Sequence, residues 1–273
     1  MKKLVTTTKI IPLVNPAFEQ PCQVFRSSPT KVKKTLRQLA KAEAGKLIAW
    51  WAMGFPAVDM SAYKVDKDGN LVRGDLLWKP AADCDGEMSV LAMTGYAALL
   101  DGKVTVKDFC KFRLDQAIAR LSYGSGKICL EEVGQDDFDQ VIYTGIELLG
   151  KANRIKGVVE NLRDALPLTA EEYETILWVC EAYYLLGCRI CESCEREIKV
   201  VTKLLLEKPS LNRDEMTGLF CNELAEQDPE IDFELESVEE EIGPCPLKNL
   251  DRSKFDDLVG YRVSIYPGYA PLA

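Results

Sequence analysis

Residues 169–206 read TAEEYETILWVCEAYYLLGCRICESCEREIKVVTKLLL, and this stretch decides the fold. It opens with Thr169 and, three residues later, Glu172, a capping box that is typical of a helix N-terminus. Apolar side chains and cysteines then recur at spacings of three and four, as on the buried face of a helix. The members of this stripe are Leu177, Cys180, Tyr184, Cys188, Cys191, Cys194, Ile198, Val201 and Leu205. We therefore expect one long helix that ends near Leu206 and carries its cysteines on a buried face.

Three cysteines of the stripe also have the spacing of metal ligands. Cys188, Cys191 and Cys194 are separated by two residues each, as in ferredoxin-type runs. Cys245, which Pro246 follows, is a candidate fourth ligand, and four thiolates would also suit a structural zinc ion. Because the chain contains no histidine, only thiolates and carboxylates could bind such a metal. A cysteine-ligated Fe–S cluster or zinc ion is therefore one interpretation of the stripe.

Helix geometry favours the other interpretation, in which the three thiols pack in the protein core and no cofactor is bound. In an unbroken helix, Cys188 and Cys194 lie about 9 Å apart along the axis. Thiolates that share a zinc ion lie much closer, because each Zn–S bond is only about 2.3 Å long. Metal binding would thus require a helix break at Gly187, and a single glycine costs a helix only about 1 kcal/mol. We predict an unbroken helix with packed thiols.

A second candidate site is a basic run in the helix that we expect over residues 29–52, which a proline in the first turn opens. The run consists of Lys31, Lys33, Lys34, Arg37 and Lys41. A basic helix face can contact phosphates, and the nearby Trp50 and Trp51 could stack on bases. The run therefore predicts a surface for nucleic acid or another anionic partner. The alternative is an ordinary solvated face, with Trp51 in the core.

The remaining pattern completes a mainly α-helical prediction with a small β element. Residues 61–73 are β-prone on both sides of Asp68-Gly69 and predict a β-hairpin. After the hairpin the apolar spacing is helical, apart from the acidic stretch 223–241, which we expect to be a solvated loop. Residues 1–14 and 262–273 are β-prone and contain proline, and they predict extended N- and C-terminal arms.

We expect one large domain over residues 1–273. A weak boundary near residue 80 would separate a basic arm, helix and hairpin, residues 1–80, from a helical domain, residues 81–273. The two parts of the chain also differ in charge. Residues 1–60 carry ten basic and three acidic residues, whereas the whole chain has a net charge of −9. Such asymmetry predicts an anionic partner for the N-terminal part, or self-association between opposite surfaces.

Composition places the chain among globular proteins. Apolar residues make up 47% of the chain and charged residues 28%, which is enough apolar material for a core. The longest apolar runs are far shorter than the roughly 20 residues that span a bilayer. The first residues are followed by no cleavage site of the kind that secreted proteins carry. We therefore expect no membrane span, no secretion, and a location in the cytoplasm or within an assembled particle.

Signals for catalysis are weak, so we expect a protein that is not an enzyme. Without histidine the commonest general base is missing, and a cysteine nucleophile would lack its usual imidazole partner. The leading hypothesis is a structural or assembly protein that forms homo-oligomers through its arms or binds a partner. A viral or phage coat-type or nucleoprotein-like component would fit this description. The alternative is a cysteine-ligated Fe–S or zinc protein, which could act on nucleic acid.

Overall fold

The computed structural model describes residues 29–53, 57–65, 71–73, 85–100, 104–122, 135–153, 155–224, 231 and 234–247. Most of these residues lie in helices, which confirms the mainly α-helical prediction. The helices are α1 (Pro29–Ala52), α2 (Asp85–Leu100), α3 (Val106–Ser122), α4 (Gln135–Leu148), α5 (Val158–Ala165), α6 (Ala170–Ser193), α7 (Glu195–Glu207), α8 (Arg213–Gly218) and α9 (Leu235–Ile242). A π-helical turn, Leu219–Glu223, directly follows α8. None of the described helices combines the length and the apolar character that crossing a membrane requires.

Two small antiparallel pairings make up the β structure in the described part of the chain. The strands are β1 (Met60–Ser61), β2 (Tyr63–Val65), β3 (Leu71–Arg73) and β4 (Ser210–Leu211). β2 pairs with β3, and Tyr63 lies opposite Arg73, so the predicted hairpin near 61–73 is confirmed. Its Asp68-Gly69 turn lies outside the described residues. β1 pairs with β4, which joins the segment after α1 to the segment after α7.

Helix α2 packs against three other helices, α1, α4 and α6. Its sequence, DGEMSVLAMTGYAALL, has no polar face after the first turn. A helix that is apolar on all sides is stable in water only when neighbours bury all of those sides. Residues 89–100 are buried accordingly, except for Leu99, which is half-buried. The apolar character of α2 therefore explains why the other helices surround it.

Close contact between α2 and α6 depends on a glycine. A Cβ atom at Gly187 of α6 would lie 2.8 Å from the carbonyl carbon of Met93 and 2.8 Å from the amide nitrogen of Thr94, both in α2. Side chains do not tolerate backbone atoms at that distance, so any residue larger than glycine would push the two helices apart. Gly187 lies inside α6 and does not break it. Its function in the fold is to let two helix backbones touch.

The prediction of one unbroken helix is wrong at a single residue, because the chain bends at Cys194. α6 ends at Ser193, α7 begins at Glu195, and Cys194 between them has φ −117° and ψ 30°. Hydrogen bonding continues across the bend, since the Cys194 N–H donates to the Ile190 carbonyl at 2.9 Å. The buried stripe also continues, with Cys194 1% and Ile198 4% exposed. The bend lets α6 pack on α2 while α7 packs on α1.

The acidic stretch 223–241 is not a loop throughout, because α9 begins within it. Val238 of α9 is 0% exposed and belongs to the core. Arg189 of α6 donates to the Ser237 hydroxyl at 2.8 Å and lies 3.3 Å from the Glu241 carboxylate. The solvated-loop prediction is therefore wrong for α9, where one buried valine and an arginine from α6 hold an otherwise acidic helix on the protein.

Helix α3 is attached to its neighbours through two arginines. Arg113 is 4% exposed, donates to the Tyr96 hydroxyl at 2.5 Å and lies 5.7 Å from the centre of the Phe138 ring. Aromatic faces stabilise a guanidinium that has been removed from water. Arg120 donates to both carboxylate oxygens of Asp139, at 2.5 and 2.6 Å. These polar contacts fix α3 on α2 and α4.

Two predictions about organisation are not decided by this architecture. The terminal arms, residues 1–14 and 262–273, lie outside the described residues. The division of the chain near residue 80 also stays a prediction. The relevant observation is that α1, which precedes residue 80, packs against α2, α6 and α7, which follow it.

Candidate functional site

The basic run of α1 is described in part. Lys31, Lys33 and Lys34 belong to the helical backbone, and their side chains lie outside the description. Arg37 is exposed and Lys41 is half-buried. The helix that we expected to carry the basic run is therefore present, and Arg37 is available to an anionic partner.

The tryptophan pair that follows the run belongs to the core. Trp50 is 0% exposed and Trp51 is 7% exposed. Lys46 is buried as well, and its ammonium lies 3.1 Å from the Glu43 carboxylate. Neither ring has a face free for a nucleic-acid base, so the aromatic part of the predicted surface is wrong. Any contact of α1 with an anionic partner would depend on its charges.

A cavity of about 360 Å³ brings the basic run and the cysteine stripe together. Residues from α1, α2, α6 and α7 line it, among them Lys41, Ala98, Cys188, Cys191, Glu192 and Lys199. The bend at Cys194 contributes to its shape, because lining residues come from the helices on both sides of that bend. The sequence suggested two separate sites, whereas Lys41 and two of the cysteines are in fact walls of one cavity.

Burial keeps the thiols of this cavity protonated. It raises the pKa of Cys188 to about 12, and the negative charges of Glu192 and Glu241 add to the effect. Burial also raises the pKa of Cys191, although the positive charge of Lys41 opposes this shift. The thiolate, not the thiol, is the nucleophile and the metal ligand. At neutral pH these cysteines are therefore weak nucleophiles that would have to lose a proton before they could bind a metal.

The four candidate metal ligands are not gathered around one point. Among the described residues, no three cysteine or carboxylate side chains are placed to share a metal ion. Cys191 donates its S–H to the Thr94 carbonyl at 3.6 Å, and Cys194 is buried at the bend. Cys245 lies beyond α9, where its N–H donates to Glu239 at 3.4 Å. An Fe–S cluster or zinc ion on Cys188, Cys191, Cys194 and Cys245 stays a prediction, which metal analysis of the purified protein would test.

A loop between α4 and α5, residues 149–157, holds an isoleucine out in solvent. We call it the Ile155 loop. Ile155 is 96% exposed, the highest value among the large apolar residues that the structure describes. The loop backbone is held by Asn161 of α5, which is 1% exposed. The Asn161 carboxamide donates to three loop carbonyls, at 3.0, 3.0 and 3.1 Å, and accepts the Asn153 N–H at 2.7 Å. These hydrogen bonds fix the backbone of the loop from which the Ile155 side chain projects into solvent.

A second cavity, of about 540 Å³, lies at the other end of α5, and we call it the Tyr173 groove. Its lining includes Asp115, Ile118, Ala119, Leu166, Pro167 and Tyr173. The Tyr173 hydroxyl donates to the Asp115 carboxylate at 2.7 Å. Burial, and then this hydrogen bond, raise the pKa of Tyr173 well above its ordinary range. The groove is therefore an apolar surface with a protonated tyrosine and a carboxylate at its edge.

A buried carboxylate of α6 lines neither cavity and lacks a partner at one of its oxygens. Glu181 of α6 is 8% exposed, and its Oε1 atom has no hydrogen-bond partner. Burial raises the pKa of Glu181, the positive charge of Lys107 opposes the shift, and Glu174 adds to it. A buried carboxylate that is incompletely hydrogen-bonded costs stability when it is ionised. The stability of the protein should therefore depend on the protonation of Glu181.

The Ile155 loop and the Tyr173 groove were both missed at the level of sequence. Asn161 is one polar residue in a short helix, and the only local signal is a turn-rich stretch, Asn153 to Gly157, that encloses an isoleucine. The walls of the groove come from segments far apart in the chain, around Asp115 and Leu166. A periodic sequence pattern does not predict that such distant segments will contact each other.

The described features that reach solvent thus include an apolar loop tip, an acid-edged apolar groove and an exposed arginine on α1. Each of them is suited to contact with another molecule. The chain matches no protein-family model, and no curated protein or solved structure matches it.

Proposed function

We propose that this protein is a non-enzymatic structural or assembly protein that acts by associating with further copies of itself. The observation that carries the proposal is the position of Ile155, 96% exposed on a loop whose backbone is hydrogen-bonded to the buried Asn161. Burial of an isoleucine side chain contributes roughly 1.5–3 kcal/mol. Because Ile155 is exposed in this fold, that free energy can stabilise a complex with another molecule. A loop whose backbone is already held also loses less entropy when it binds.

Single exposed apolar residues are common on protein surfaces and need no explanation by themselves. Ile155 is different because of what lies near it. Val159, one turn away on α5, is 40% exposed, and the apolar Tyr173 groove lies beyond the other end of the same helix. A projecting apolar group and an apolar recess on one chain support association between copies. A coat-type or nucleoprotein-like component of a virus or phage, in the cytoplasm or within an assembled particle, is the kind of protein that we propose.

The mass of the intact protein in solution tests this function. Light scattering and sedimentation over a wide concentration range should show species larger than the 30.5 kDa chain, with a proportion that rises with concentration. Truncated chains that lack residues 1–14 or 262–273 would separate association through the arms from association through the helices. A monomer at every concentration would contradict the proposal.

A second candidate function is binding of nucleic acid or another anionic partner through α1. The observation that favours it is the exposure of Arg37 in a segment, residues 1–60, with ten basic and three acidic residues. Replacement of Lys34, Arg37 and Lys41 by glutamate should abolish binding to single-stranded nucleic acid. Affinity of the unchanged protein should fall steeply as salt is added, because phosphate contacts release counterions.

A control with the same change of net charge makes this test specific. Lys111, Arg163 and Arg213 are exposed on α3, α5 and α8, which are not among the helices that α1 chiefly packs against. Their replacement by glutamate should weaken binding much less than the triple change in α1. Equal losses in the two triple variants, or an affinity that does not depend on salt, would count against a binding surface on α1.

A further inference from the structure

We infer that the Ile155 loop of one copy inserts into the Tyr173 groove of a second copy, and that the two copies do so reciprocally. This inference rests on the proposed self-association and names the surfaces that perform it. The occupant of the groove is thus a second copy of this chain. Shape, charge and the position of the two features on α5 each support this assignment.

The groove offers an apolar site of suitable size. Its walls include the side chains of Ile118, Leu166 and Leu168, and its volume of about 540 Å³ is much larger than one isoleucine side chain needs. Ile155 at the tip of the loop, together with part of the loop backbone, can therefore enter it. The hydrophobic effect favours the complex, because apolar surface on both partners leaves water.

The charges of the two surfaces are complementary. Among the described residues of the Ile155 loop the charged ones are Lys151 and Lys156, both basic. The charged residues among the described lining of the groove are Asp115 and Glu174, both acidic. Insertion of the loop would bring opposite charges together at the edge of an apolar contact, which steers the encounter and disfavours the wrong orientation.

The loop lysines already have partners in their own chain. Lys151 pairs with Glu172, whose side chain is only 17% exposed, and Lys156 pairs with Asp164. The second pair is exposed on both sides, at 45% for Lys156 and 57% for Asp164. Exposed ion pairs contribute little free energy, because water and salt screen them. Lys156 can therefore turn to the acidic groove of a second copy at little cost.

The two features lie at opposite ends of the same short helix. α5 has 8 residues, so the loop at its start and the groove wall at Leu166 are separated by about 12 Å of helix. A two-fold axis near the middle of α5 would place each loop at the groove of the other copy. The same contact would then form twice, as in a closed, isologous dimer. Val159, which is 40% exposed, would be covered between the antiparallel α5 helices.

Two single variants test the two surfaces separately. Ile155→Ser removes the apolar tip, and Ala119→Arg fills the groove from an exposed position on α3 where arginine suits a helix. Each should weaken association by at least about tenfold, as expected for a residue at the centre of an interface. Val200→Ser is the matched control, since Val200 is 40% exposed on α7 and should leave association unchanged. Circular dichroism and melting should report an intact fold in all three.

Mixing the two variants tests the mode of contact itself. The Ile155→Ser chain keeps an intact groove, and the Ala119→Arg chain keeps an intact loop. A mixture of the two should therefore form a heterodimer with one of the two contacts restored, at a concentration where each variant alone is monomeric. Association of that kind is expected from loop-in-groove insertion and from no other use of these residues.

The outcomes separate this inference from the proposed function. Oligomers of the Ile155→Ser chain as strong as those of the unchanged protein would overturn the inference and leave self-association in place. Failure of the mixture to form heterodimers would overturn it as well. A monomeric unchanged protein would refute both the inference and the function on which it rests. Monomeric single variants, a heterodimer in the mixture and an unaffected Val200→Ser protein would establish it.

Discussion

The contact between α2 and α6 and the region around α5 use their residues in opposite ways. Where α2 meets α6, Gly187 is required because two helix backbones touch, and there is no room for a methyl group. Around α5, the buried Asn161 uses its whole carboxamide to hold a loop that places Ile155 in solvent. The first arrangement is fully explained by the stability of the fold. In the second arrangement a buried polar side chain holds a loop that exposes an apolar one, which the stability of the fold does not require. This contrast points to α5 as the region with a function beyond folding.

Gly187→Ala should have the largest effect on stability, since it attacks the tightest contact between α2 and α6. The new methyl group would lie 2.8 Å from backbone atoms of Met93 and Thr94, which cannot move as a flexible side chain can. Overpacking of this kind costs about 1–3 kcal/mol or more. Urea unfolding would measure the loss.

Gly218→Ala is the matched control for that variant. Gly218 ends α8 with φ −58°, and the atom nearest to a new Cβ would be Asn222 Nδ2 at 3.9 Å. Alanine there should be neutral or stabilising by up to about 1 kcal/mol, because alanine favours helix. Equal effects of the two substitutions would mean that α2 and α6 are not in the close contact described.

Asn161→Ala tests the region around α5. It should cost about 1–3 kcal/mol, since it removes the four hydrogen bonds that this buried side chain makes with the loop backbone. Amide hydrogen exchange in residues 153–157 should accelerate as the loop is released. Asn222→Ala, at an exposed asparagine, should change stability by less than about 0.5 kcal/mol. Unchanged exchange in the Asn161→Ala protein would show that the loop does not depend on this side chain.

Cys191→Ala should cost about 1–2 kcal/mol, as expected for the removal of a small, largely buried side chain that donates to the Thr94 carbonyl. Because packing holds this cysteine, a chelator should leave the melting temperature of the unchanged protein as it is. The metal interpretation predicts the reverse, since metal binding at a structural site is coupled to folding. Stoichiometric iron or zinc in protein purified without added metal would decide for that interpretation.

Glu181→Gln should have the smallest effect, and the effect should depend on pH. Burial raises the pKa of Glu181 in the folded state, so the folded protein holds this proton more tightly than the unfolded chain does. Stability should therefore fall as pH rises from the ordinary carboxyl pKa through the raised one. Glutamine carries no charge and should remove this decline, which makes the variant the more stable protein at neutral pH. Urea midpoints of both proteins at pH 5 and pH 7.5 measure the difference, and parallel pH profiles would contradict it.

Local signals predicted a large part of the fold. Thr169 accepts the Glu172 N–H at 3.3 Å, so the capping box begins a helix where the sequence placed it. The hairpin near 61–73 also formed as expected. Each of these signals connects residues that are close in sequence and in space.

The candidate site was much less predictable. Lys41 and Cys191 were recognised as notable residues, but their meeting in one cavity depends on how α1 lies against α6 and α7. The burial of Trp50 and the bend at Cys194 depend on the same packing. Ile155 was marked only by the turn-rich residues around it, because a single exposed residue in a short loop produces no periodic pattern.

By itself the sequence determined the fold class, the helix starts and the apolar stripe from Leu177 to Leu205, since hydrogen bonds and side-chain repeats within a helix act over three or four residues. Only the tertiary structure decided that Gly187 is a contact and not a break, that the stripe bends at Cys194, and that Asn161 holds Ile155 in solvent. Those outcomes depend on which segments, far apart in the chain, pack against each other. The free energy of that packing comes from contacts between distant segments, and no local sequence pattern identifies which segments will meet.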